Sequence, residues 1–94
     1  MQEMTNSQTF NYDKALEVLK EIKEYIDFPQ FQTTFKENSE NVKAIIEDTI
    51  KAVENKEDVG IVKKSLRILK DLAVGASGSL IASGIIALLG TLLL

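Results

Sequence analysis

The sequence predicts an all-α fold: a small antiparallel helical bundle with a long, apolar, glycine-rich C-terminal helix. Three observations lead there. Apolar residues recur at steps of three and four through most of the chain from Tyr12 to Leu72, which is the period of a helix with one buried face. No stretch of the 94 residues shows the strict alternation of a half-buried strand. The last 23 residues, Leu72 to Leu94, carry no charge, no proline and no side-chain amide.

Residues 1–11 read as a flexible N-terminal tail, polar and without periodicity from Thr5 to Thr9. Asn11 or Asp13 is suited to cap the first helix. That helix spans about 12–26, with Ala15, Leu19, Ile22 and Ile26 on one stripe. Asp27-Phe28-Pro29 breaks it, because proline disfavours helical geometry in the residue before it and suits a first turn. A short helix over about 29–37 then presents Phe31 and Phe35, with Phe28 ahead of them. Ser39 is a suitable N-cap for a third helix over about 40–55, whose stripe is Val42, Ile45, Ile46, Thr49, Ile50 and Val53. Residues 54–58, ENKED, form a polar connector, and Asp58 is placed to cap the last helix.

From Val59 the apolar face is Ile61, Val62, Leu66, Ile68, Leu69 and Leu72, with Lys63, Lys64, Arg67 and Lys70 opposite. No proline separates this part from the tail, so one helix over 59–92 is expected. Gly75 and Gly78 weaken it by about 1 kcal/mol each relative to alanine. The expected bundle core is Leu16, Leu19, Ile22, Ile26, Phe31, Phe35, Ile45, Ile46, Ile50, Val53, Leu66 and Leu69, with sequence neighbours antiparallel because the connections are short.

Charge divides the chain further. Residues 1–58 hold seven lysines against thirteen carboxylates, a net of −6, and their helical part, 12–58, is an acidic head. Residues 59–71 carry a net of +3 and form a basic amphipathic helix start. Residues 72–94 carry none and form an apolar C-terminal helix, the candidate membrane segment.

These residues exclude much chemistry. Without cysteine there is no disulfide, zinc-thiolate site or thiol nucleophile. Without histidine the commonest general base and metal ligand is missing. GASGS at 75–79 lacks the Lys-Ser/Thr of a phosphate loop. The pairs Glu47/Asp48 and Glu57/Asp58 are adjacent in sequence and diverge on a helix. No Asp/Gly pattern fits a calcium loop. The acidic balance, with no aromatic residue among the basic ones, speaks against nucleic acid. The chain is therefore expected to be no enzyme, with no catalytic, cofactor-binding or metal site.

The tail has a pattern of its own. Gly75, Ser79, Ser83, Ala87 and Thr91 recur every four residues, so a continuous helix would have one face of small side chains, a glycine zipper suited to helix–helix association. A helix of 23 residues would run about 34 Å, enough for the roughly 30 Å hydrocarbon core of a bilayer. Lys63, Lys64, Arg67 and Lys70 would stand at the membrane's cytoplasmic face.

The main expectation is therefore a tail-anchored protein of the inner membrane with its head in the cytoplasm. Its partners would be the lipid bilayer, copies of itself through the small-residue face, and a protein on the acidic head. The alternative is a soluble, cytoplasmic helical interaction and oligomerisation module in which 72–94 is a buried core or interface helix.

The stretches KALEVLKEIKEY and KKSLRILKDLAVGASGSLIASGIIALL resemble small uncharacterised bacterial proteins with a polar helical head and a Gly/Ser-rich apolar C-terminal helix. They also loosely resemble the membrane-active modules of prokaryotic defence and cell-death systems. The resemblance covers roughly residues 14–30 and 61–90. It is compositional, so it carries over no functional residue. It implies a membrane-perturbing effector or its accessory.

Overall fold

The structure, a computed structural model, describes residues 10–76 and 79–93. Every regular element among them is helical: α1 (Tyr12–Glu24), α2 (Pro29–Phe35), α3 (Ser39–Glu54), α4 (Val59–Gly75) and α5 (Leu80–Leu93). Single 3-10 turns, Tyr25–Asp27 and Lys36–Asn38, flank α2. The tail expected over residues 1–11 lies outside the described residues up to position 9. Phe10 is buried, with its ring edge-on to Tyr12 at 5.1 Å between centroids.

Local signals set most boundaries. The Asn11 side chain accepts from the Lys14 N–H, and the Asp58 carboxylate accepts from the Gly60 N–H, capping α1 and α4. Pro29 opens α2. Ser39 differs from its expected role: it is the first residue of α3, and its buried hydroxyl donates to the Lys36 carbonyl at 2.7 Å. α3 closes with the paired bonds of a Schellman motif, Glu57 N–H to Ala52 C=O and Lys56 N–H to Val53 C=O.

α1, α3, α4 and α5 form a ring, each packed on the next, with α5 returning to α1. Contacts fix their directions. The Tyr12 hydroxyl at the start of α1 donates to the Glu57 carbonyl beyond the end of α3 at 2.6 Å. Tyr25, past the end of α1, lies against Gly84 near the start of α5. Ring neighbours are thus antiparallel, an up-down-up-down four-helix bundle. The short α2 crosses its end and packs on α3 and α5.

The largest departure from expectation is in the C-terminal third. The single helix of 59–92 is two helices, α4 and α5, folded back on each other. α4 stops at Gly75, and α5 begins at Leu80 with Ser79 as its cap. Folding back buries Ile81, Ile85, Leu89 and Leu92. At roughly 1.5–3 kcal/mol for each such side chain, this outweighs the few helical bonds lost at a break that glycine already weakens.

The core therefore includes residues outside the expected set. Leu19, Ile22, Phe31, Phe35, Ile46, Val53, Leu66 and Leu69 are buried as expected. Leu16, Ile26, Ile45 and Ile50 are half-buried at its margin. Ala15, Val18, Val42, Val62, Ala73 and the inner face of α5 join it. Thr49 is buried too, with its hydroxyl donating to the Ile45 carbonyl at 2.6 Å.

The fold overturns the membrane-spanning expectation. α5 has 14 residues, about 21 Å of helix against a hydrocarbon core of about 30 Å. α4 carries Lys63, Lys64, Arg67, Lys70 and Asp71 along its length. No helix among the described residues is long and apolar enough to cross a membrane. The transmembrane, tail-anchored arrangement at an inner membrane has no helix to support it. The reading of the chain as a membrane-perturbing effector falls with it, and Lys63, Lys64, Arg67 and Lys70 flank no spanning segment.

Candidate functional site

The fold divides the small-residue stripe between elements. Gly75 ends α4 and is exposed, and a side-chain carbon added there would meet nothing within 4 Å. Ser79 is half-buried, and its hydroxyl oxygen accepts from the N–H groups of Ile81 and Ala82 at 3.1 and 3.4 Å. It also lies 2.8 Å from the Thr34 hydroxyl of α2. Only Ser83, Ala87 and Thr91 share a face of α5, and all three are exposed.

That face is the outward one. α5 turns Ile81, Ala82, Ile85, Leu89 and Leu92 inward. Outward stand Leu80, Ser83, Ala87, Gly90 and Thr91. The Thr91 hydroxyl donates to the Leu88 carbonyl at 2.7 Å, so this polar group is already satisfied within its own helix. No residue of α5 carries a charge.

The small residue of α5 that meets another element is one the four-residue stripe misses. Gly84 faces the turn after α1, and a side-chain carbon added there would overlap the Tyr25 hydroxyl. Its signal in the sequence is only a glycine inside an apolar helix, and nothing local says which neighbour it meets.

The four basic residues stand on the outer side of α4. Lys64 and Arg67 are exposed, and Lys63 and Lys70 are half-buried. Ile61, Ile68 and Val74 are exposed on the same helix.

An open groove of about 1160 Å³ lies where α2 meets the end of α4 and the start of α5. Tyr25, Phe28, Phe35, Leu72, Ser79 and Leu80 are among the residues that line it. It has no cluster of acidic side chains to hold a cation: among the described residues no three His, Cys, Asp or Glu groups are placed to bind a metal ion.

Compared with protein-family models, curated proteins and solved structures, the chain matches none.

Proposed function

We propose that this chain is a non-catalytic helical interaction module that pairs with copies of itself through the outward face of α5. One observation carries the reading. A surface helix of a globular protein sets charged or polar residues opposite its buried face. α1, α3 and α4 set charged residues there, whereas α5 turns Leu80, Ser83, Ala87, Gly90 and Thr91 outward, with two short hydroxyls and no charge among them. A charge-free face meets its own copy without like-charge repulsion, as a two-fold pair requires. Small side chains let the two backbones approach to the lower end of the usual 8–10 Å interhelical range.

The size of the face limits the affinity. A single helix face about 21 Å long supplies less than the roughly 800 Å² per partner of a standard stable interface. Leu80, 91 % exposed, and Phe28, 46 % exposed, extend the apolar surface at the α2 end, where both line the groove. The pair is accordingly weak, with a dissociation constant on the order of 10⁻⁴ M.

The chain has no cysteine of its own, so single-cysteine variants test this directly. Under mild oxidation Ala87→Cys should form a covalent dimer in high yield, while Lys20→Cys on the outer face of α1 should not. Equal yields from the two positions would refute pairing through α5.

A further inference from the structure

We infer that two copies of the chain pair with their α5 helices parallel, so that the basic edge of α4 in each copy faces the acidic edge of α1 in the other. This rests on pairing through α5 and adds its direction and the charges that set it.

α5 stands between two helices whose facing edges differ in charge. Its ring neighbours are α1 and α4, and both run opposite to it. Tyr25, directly after α1, marks the side of α1 that meets α5. Glu21 and Glu17 step back from it by one helical turn each, so exposed carboxylates line that edge. Tyr12 reaches the end of α3 from the other side of α1. The same sense round the ring puts Lys63, Arg67 and Lys70 on the α5 side of α4. It puts Ile61, Ile68 and Leu72 on the α3 side, where Leu72 shares the groove with Phe35 and Asn38. Lys64 and Asp71 point straight out from α4 and belong to neither edge.

The heights of the two edges match. Tyr12, at the start of α1, is bonded to Glu57, just before Asp58 and α4. Glu17 and Glu21 lie as far beyond Tyr12 as Lys63 and Arg67 lie beyond Asp58. Lys14, also on this edge of α1, stands level with Gly60 and opposes no cation.

Symmetry then decides the direction. A two-fold axis along the helices gives a parallel pair and exchanges left and right, so α4 of one copy lies opposite α1 of the other. An axis across the helices gives an antiparallel pair and sets α4 against α4 and α1 against α1. Only the parallel pair brings unlike charges together. The rows flank the contact, so they act over about a screening length, roughly 10 Å at 0.1 M salt.

Two measurements test it. Ser83, Ala87 and Thr91 are replaced one at a time by cysteine in the otherwise cysteine-free chain and oxidised mildly. Each variant should form a disulfide dimer with its own copy. Ser83 and Thr91 are about 12 Å apart along the helix, and a disulfide spans at most about 7 Å between Cα atoms. An antiparallel pair therefore cannot link both Ser83→Cys and Thr91→Cys to their own copies. Secondly, sedimentation equilibrium of a Glu17→Lys, Glu21→Lys variant at low salt should show association weakened about fivefold. Adding Lys63→Glu and Arg67→Glu to the same chain should restore it. In an antiparallel pair like charges face like in every variant, and the affinity would not change. All four sites lie at the surface, and circular dichroism checks that each variant keeps its helices.

An unaltered chain that associates, with Ser83→Cys or Thr91→Cys failing to link to itself or with the double variant pairing as tightly, would overturn the direction and leave pairing standing. An unaltered chain that stays at the mass of one copy would end both.

Discussion

The hydroxyl of Tyr25 occupies the space that the first side-chain carbon of any residue other than glycine would need at position 84. The contact joins the turn after α1 to the second turn of α5. It is one of the places where the acidic part of the chain holds the apolar helix against the bundle.

Gly84→Ala should therefore gain less than Gly90→Ala. Alanine gains up to about 1 kcal/mol over glycine inside a helix. At Gly90 nothing lies within 4 Å of the added carbon, so stability should rise by about 0.5 kcal/mol. At Gly84 the added carbon must push the end of the half-exposed Tyr25 ring aside, which offsets that gain. Urea unfolding of both variants measures this, and a Tyr25→Ala background should bring Gly84→Ala up to the Gly90→Ala value.

Lys36 has φ 51° and ψ −121°, and Lys56 has φ 51°. Side chains other than glycine are strained at such φ. Lys36→Gly should raise stability by about 0.5–1 kcal/mol. Lys56→Gly should gain less, because it also removes an ammonium 5.4 Å from the Tyr12 ring centroid. Thermal unfolding of the two variants checks the order.

Ser79→Ala should cost about 1–2 kcal/mol, since it removes both the cap of α5 and the hydroxyl link to α2. Thr34→Val removes the link and keeps the cap, so it should cost less. Hydrogen exchange should show faster opening of the first turn of α5 in Ser79→Ala than in Thr34→Val.

A chain ending at Gly75 should fail to unfold cooperatively. It loses Ile81, Ile85, Leu89 and Leu92, each fully or almost fully buried. Truncating one such side chain to alanine typically costs about 2–5 kcal/mol, against a total stability of about 5–15 kcal/mol for an ordinary domain. A sharp melting transition in the shortened chain would show instead that the acidic head folds alone.

The helices up to Val59 are readable in the sequence because each has a single apolar stripe and a local start or stop signal, such as Asn11, Pro29 and Asp58. The break near Gly75 is not readable in the same way. Small residues tolerate both a weak helix and a turn, and the choice is made by the open side of the bundle that α5 covers. That choice also turns Ser83, Ala87 and Thr91 outward and sets Gly84 against the Tyr25 ring. The basic residues of α4 can be assigned to one face from their spacing. That Ile61 and Ile68 share the exposed side depends on where α3 and α5 sit, which no local pattern records.

Pairing through the outward face of α5 is tested most directly by sedimentation equilibrium over a concentration series. The weight-average mass should climb from 10.4 kDa towards twice that value as concentration passes about 10⁻⁴ M, and Ala87→Glu should stay at the mass of one chain throughout. A single-chain mass for the unaltered protein well above that concentration, or an Ala87→Glu variant that associates equally, would contradict it.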